Sequence, residues 1–121
     1  MNNKASRNPR QAPVATIDVR QLRDSFGLSQ EHFARMLGFS TRSVAGWERS
    51  SRPGSRAYQR LVESQRLFDE LATVIRPEII SRWLQSPCEA FEGRTPLQVI
   101  ELGHIDRIWT MIYHMRSGTP G

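Results

Sequence analysis

The 121 residues, 38% hydrophobic and 24% charged, have the make-up of one small globular domain, or of two very small ones sharing a long helix. Apolar runs stay near four residues, which excludes a membrane span, and the start MNNKASRNPRQAP lacks the apolar stretch of a secretory signal. The formal charge of +5 is uneven, since residues 1–60 hold 11 Lys/Arg against 4 Asp/Glu, for +7, and residues 61–121 hold 6 against 8, for −2.

The two halves therefore face different partners. A basic N-terminal half attracts polyanions, although charge alone serves solubility as readily. Of the 17 basic residues 16 are Arg, a bias toward planar hydrogen-bonding contacts with phosphate or guanine. The single cysteine, Cys88, excludes an internal disulfide and suits a reducing cytoplasm.

Residues 1–15 carry Asn, Pro, Gln and three basic side chains with almost nothing apolar, and read as a disordered basic arm. The first helix starts at an Asp18 N-cap with Gln21 three residues on and Ile17 and Leu22 as a staple. Val19, Leu22 and Phe26 share its apolar face, and Gly27 ends it. Ser29 caps a second helix, stapled by Leu28 and Phe33, with Phe33, Ala34 and Leu37 turned inward. Ser40 caps a third, stapled by Phe39 and Val44, with Val44 and Trp47 buried. Helices of about eight residues are marginal alone and require shared packing.

After the turn Ser50-Ser51-Arg52-Pro53-Gly54, Ser55 or Arg56 opens a longer helix to about Val74, with Tyr58, Leu61, Val62, Phe68, Leu71, Ala72 and Ile75 on its apolar face. Leu61, Phe68 and Ile75 stand seven apart, as in a dimer seam. Fewer than three heptads favour packing on the protein's own core. Pro77 fits the first position of a helix over 77–85 bearing Ile79, Ile80, Trp83 and Leu84, and residues 86–93 read as an irregular connection. Thr95-Pro96-Leu97-Gln98 combines N-cap, Pro and Gln for a helix ending near Gly103. The last helix, from about His104 to Arg116, carries Ile105, Ile108, Trp109, Ile112, Tyr113 and Met115, and Gly118 closes it. No segment alternates as a strand does, so the fold class is all-α.

From Leu28 to Arg49 the residue types meet the demands of a helix-turn-helix. Counting from Gln30, Ala34 is fifth, for close helix approach; Gly38 is ninth, for the turn; Val44 and Trp47 are fifteenth and eighteenth, for burial. These residues closely resemble the Cro/cI-like helix-turn-helix of the Xre regulators, L-S-Q-x-x-L-A-x-x-L-G-x-S-x-x-x-I-x-x-W-E, over roughly residues 18–62. A helical hairpin without DNA binding is the alternative.

With Val44 and Trp47 inward, the helical period sends Thr41, Arg42, Ala45, Gly46 and Arg49 outward, where the second helix of such motifs enters the major groove. Arg42 is the first candidate for a bidentate guanine contact. Thr41 suits a base or a thymine methyl, and Arg49 a base or a phosphate. Gly46 permits close approach to the groove wall or is simply tolerated. Gln30 is placed to anchor a phosphate, with Ser43, Arg52 and Arg56 as further phosphate candidates. Ser40 completes the set. The resemblance implies that Glu48 pairs with Arg23 and lies outside the site.

The run WLQSPCEAFEGRTPLQVIELGHIDRIWTMIYHMRSG resembles the toxin-binding domain of Xre/MbcA/ParS-type antitoxins, covering roughly residues 77–118. Trp83, Leu84, Pro87, Gly93, Arg94, Thr95, Pro96, Leu97, Gly103 and Gly118 fall at matching places. Cys88-Glu89 and Phe91 depart from the usual Asn and small or leucine residues. The resemblance implies a toxin partner, a RES-domain protein of an NAD-consuming family or a close relative, with the antitoxin's C-terminal end blocking the toxin's active-site entrance. Candidate contacts are Trp109, Ile112 and Met115 for apolar burial, Arg94 and Arg116 for polar contacts, and the tail end Ser117 and Gly118. For each apolar residue, packing in the chain's own core is the competing use.

The implied function is that of an antitoxin which also represses its own operon as a homodimer on double-stranded operator DNA. A stand-alone dimeric Xre-type repressor, whose C-terminal domain only oligomerises it, is the alternative. Division is expected into the arm, a helix-turn-helix domain with its connecting helix over 16–75, and a toxin-binding domain over 76–121. An enzyme would need Cys88 with His32, His104 or His114, and no orienting third group is evident. His104 and His114 lack metal-pair spacing, so neither metal nor cofactor is expected.

Overall fold

Asp18, Ser29 and Ser40 on one side, and Gly27 and Gly38 on the other, cut the first part of the chain into three short helices. The structure, a computed structural model, describes residues 17–118; the arm expected over 1–15 and the tail after Gly118 lie outside the described residues. Helix α1 spans Val19–Phe26, and the Asp18 carboxylate accepts the Gln21 N–H at 3.0 Å, so the Asp18 half of the capping box forms. Helix α2 is Gln30–Leu37, capped by the Ser29 hydroxyl on the His32 N–H at 3.1 Å. Helix α3 is Thr41–Arg49, capped by Ser40 on the Ser43 N–H at 3.0 Å. At Gly38 the backbone turns left-handed, φ 81°, a conformation that costs an L side chain about 1–2 kcal/mol.

Helix α4, Ser55–Leu71, follows; then α5, Pro77–Leu84; a single 3-10 turn, Glu89–Phe91; α6, Pro96–Glu101; and α7, Ile105–Ser117. The described residues are all-α, with no strand among them. Thr95 and Gln98 form both halves of the capping box, at 2.9 and 3.0 Å. Helix α4 stops at Leu71 rather than near Val74, where the chain tightens: the Thr73 N–H bonds the Glu70 carbonyl and the Val74 N–H the Leu71 carbonyl, three residues back rather than four.

Helix α4 buries more than the expected stripe. Ala57, Leu61, Ser64, Leu67 and Leu71 lie inward, while Tyr58, Val62 and Phe68 are half-buried. Leu61 and Phe68, two members of the seven-residue repeat, serve the chain's own interior: Leu61 is fully buried and Phe68 meets Phe26 edge-on at 5.3 Å. One connected cluster of buried side chains runs from Val19 and Leu22 through Phe33, Leu61 and Leu71 to Ile80, Leu97, Ile108 and Ile112. Both halves of the chain thus share a core. Among the described residues no helix is long and apolar enough to cross a membrane.

Candidate nucleic-acid interface and C-terminal surface

Helices α2 and α3 are set by what lies beneath them. Val44 is fully buried; Trp47, expected in the core, is half-buried and rests edge-on against Phe39 at 5.4 Å, the staple residue of its own helix. Behind α3, Arg23 Nε and Nη2 donate to the two Glu48 carboxylate oxygens at 2.6 and 3.0 Å, and Arg23 Nη1 donates to the Leu28 carbonyl at 2.9 Å. The Glu48 side chain is only 6% exposed and that of Arg23 15%. The Arg23 hydrogen bonds hold the Glu48 carboxyl below its ordinary range against its own desolvation, and the same bonds raise the Arg23 pKa. The expected pairing is therefore formed, and it fixes α3 against α1.

Gln30 completes this network, since its Nε2 donates to Glu48 Oε1 at 3.0 Å. That bond uses one of the two hydrogens of its amide. On the opposite side of α3, Thr41, Arg42 and Arg49 are exposed, with the half-buried Ala45 and Gly46 between the two arginines. Arg42 and Arg49 stand seven residues apart, roughly 10 Å along the axis at about 1.5 Å per residue, or about three base-pair steps. A Cβ at Gly46 would stand 3.3 Å from the hydroxyl of exposed Ser51, a mildly tight contact, and the Ser51 N–H bonds the Gly46 carbonyl at 2.9 Å. Ser40 donates to the Ser43 hydroxyl at 3.0 Å, while Arg52 and Arg56 are exposed, Arg56 stacking over Phe39 at 5.6 Å.

On the C-terminal side the structure sorts the candidate residues by direction. Ile112 is 2% exposed and belongs to the core beside Ile108, so it offers the outside nothing. Trp109 is half-buried under the Arg66 guanidinium of α4, 5.4 Å from its ring. Arg116 also turns to α4, donating to Glu70 and, at 3.1 Å, to Thr73 Oγ1. Met115 is 46% exposed, and Tyr113, left out of the candidate set, is 67% exposed. The Arg94 side chain is exposed while its backbone closes the 3-10 turn: its carbonyl accepts the Cys88 N–H and its N–H bonds the Phe91 carbonyl, both at 3.0 Å. Ser117 donates to the His114 carbonyl at 3.2 Å, and Gly118 takes the left-handed cap.

Sequence reasoning missed Phe91, which is buried although it sits in the irregular connection. Arg107 holds that turn to α7: it donates to Glu92 at 2.9 and 3.1 Å and to the Ala90 carbonyl at 3.0 Å, and it lies 5.2 Å over the Phe91 ring. The Arg107 hydrogen bonds lower the Glu92 pKa. The signal available was an aromatic residue flanked by Glu92 and Gly93, both of which adopt positive φ, 56° and 84°. Cys88 is a free, half-buried thiol.

A capped helix pair with a basic outer stripe, joined through a shared core to further helices, defines a helix-turn-helix protein with an added helical C-terminal domain. Residues 19–63 match the family model described as a helix-turn-helix, and residues 65–118 that of the antitoxin Xre/MbcA/ParS C-terminal toxin-binding domain. The two matches meet inside α4. The mycobacterial cidal antitoxin MbcA of Mycobacterium tuberculosis and that of Mycobacterium bovis are each 30% identical over 96 residues, 78% of this chain and 85% of the relative. A chain of the crystal structure of the M. tuberculosis MbcT-MbcA toxin–antitoxin complex superposes with a TM-score of 0.68 at 28% identity, over 86% of this chain and 95% of that one. The chain belongs to the Xre/MbcA/ParS family of antitoxins.

Proposed function

We propose that the chain is a two-surface antitoxin of the cytoplasm: α3 reads operator DNA to repress its own operon, and the C-terminal helices neutralise the cognate toxin. It acts by binding rather than by catalysis, and as a homodimer it presents two copies of α3 to two half-sites. The observation that carries the DNA reading is the outer stripe of α3, where Arg42 and Arg49 flank the small residues Ala45 and Gly46 while Glu48 is held inward. The toxin reading is supported by the match of residues 65–118 and by the likeness to a protein solved with its toxin. Assignment of that toxin to the NAD-consuming RES class rests on the resemblance of the C-terminal run.

The test is a titration of the DNA upstream of the chain's own gene against a scrambled duplex. Arg42→Ala is expected to lose about tenfold to hundredfold of the preference between them, the equivalent of about 1–3 kcal/mol for one bidentate base contact. Gln30→Ala is expected to weaken binding to both duplexes alike. An Arg42→Ala protein with the wild-type preference would overturn the reading.

A further inference from the structure

Helix α7 divides into strips with different neighbours. Ile108 and Ile112 face the core, and Trp109 and Arg116 face α4. The third strip borders a groove of about 280 Å³ against the 3-10 turn, formed chiefly by Phe91, Arg107, Met111, His114 and Met115. Its lining lies wholly within the segment that matches the toxin-binding domain.

Three properties of the groove define an occupant. Its volume falls just under the roughly 300–1,000 Å³ of small-molecule sites, which suits one or two inserted side chains better than a cofactor. Its one cation, Arg107, is already held by Glu92 and the Ala90 carbonyl, so a charged guest gains no partner there. And His114 Nδ1 is closed off from solvent, so the wall offers a guest mainly the apolar side chains of Phe91, Met111 and Met115. Two methionines on the wall, Met111 and Met115, repack readily around a guest.

We propose that this groove receives a side chain of the cognate toxin, neutral and apolar, seated against Phe91, Met111 and Met115. This rests on the toxin-neutralising function proposed above. Exposed Met115 carries the groove outward onto the free end of α7, so groove and tail form one continuous surface. The contact surface then lies on the Phe91 side of α7 rather than on the Trp109 and Ile112 side.

The experiment uses the full chain and the purified protein encoded beside its gene, with the dissociation constant measured for wild type and variants. Thr110→Trp fills the groove from an exposed position whose hydroxyl bonds only the Asp106 carbonyl of the same helix; Ala90→Trp fills it from the opposite wall. Each is expected to weaken binding about tenfold or more, with an unchanged unfolding midpoint and unchanged DNA affinity. If both tryptophan variants bind within about twofold of wild type, the groove is not the contact. If wild type itself fails to bind, the neutralising function falls and the groove's role with it.

Discussion

In the helix-turn-helix, the polar group that fixes α3 is drawn inside: the Glu48 side chain is 6% exposed and takes hydrogen bonds from Arg23 and Gln30. In the C-terminal half the corresponding ties lie outside. Arg116 and Glu70 are 51% and 36% exposed, and Arg107 and Glu92 are likewise open to water. Buried, mutually satisfied charges are costly to separate, whereas exposed pairs contribute about 0–1 kcal/mol and exchange partners freely. One half is pinned by an enclosed ion pair, the other by ion pairs that water can reach.

The largest effect that tests this contrast is expected at Glu48. Glu48→Ala leaves the Arg23 guanidinium 15% exposed with only the Leu28 carbonyl, and is expected to cost about 3 kcal/mol, the lower end for a broken buried pair. Because the folded Glu48 pKa is lowered, its contribution is fully present above the ordinary glutamate value near 4.3. It is lost as the pH falls below that value through the folded one. Denaturant melts from pH 7 down to pH 3 should therefore converge for wild type and Glu48→Ala. Melts that stay equally far apart at pH 3 would remove the ion pair from the account.

The next effect concerns the join between the halves. Gly27, φ 68°, ends α1 where the Ser81 hydroxyl of α5 donates to its carbonyl at 2.9 Å, and a Cβ there would stand 2.6 Å from the Ser81 Cβ. Gly93, φ 84°, has nothing within 4 Å of the same position. Gly27→Ala is expected to cost about 2 kcal/mol or more, from left-handed strain plus the clash, and Gly93→Ala only the strain of about 1–2 kcal/mol. Equal losses in thermal melts would mean that α1 and α5 separate without resistance, and that the shared core matters less at this edge.

Legibility in the sequence follows the range of the interactions. The caps Asp18, Ser29, Ser40 and Thr95 act on N–H groups three residues away, and Gly27 and Gly38 stop their helices locally, so the helix ends of the helix-turn-helix were readable, while the burial of Met36 and the half-exposure of Trp47 were not. What a side chain on α7 faces depends on residues more than 40 positions back: Arg116 on Glu70 and Trp109 on Arg66. The apolar pattern could not say which of these residues were core, and Ile112 proved to be. Phe91 was hidden because a single three-residue 3-10 turn is too short to show a period, and Leu67 and Ser64 because α4 is packed on more than one side, which widens its buried face beyond a single stripe.

The smallest expected effect on stability carries the sharpest test of exchangeable contacts. Arg116→Ala and Glu70→Gln both break one exposed pair and should each change stability by less than about 1 kcal/mol. Their effects on toxin affinity should differ in sign. If Arg116 leaves Glu70 to meet the toxin, Arg116→Ala removes a contact and weakens the complex. Glu70→Gln instead loosens the hold on the guanidinium by removing the opposite charge, with Thr73 Oγ1 still in reach, and raises affinity because the internal contact competes less. A framework role predicts the opposite: with Arg116 serving only to press α7 onto α4, both substitutions loosen the helix and both weaken binding in the same proportion. Binding isotherms of the two variants decide between these, and equal losses would show that the C-terminal half is as fixed as the helix-turn-helix.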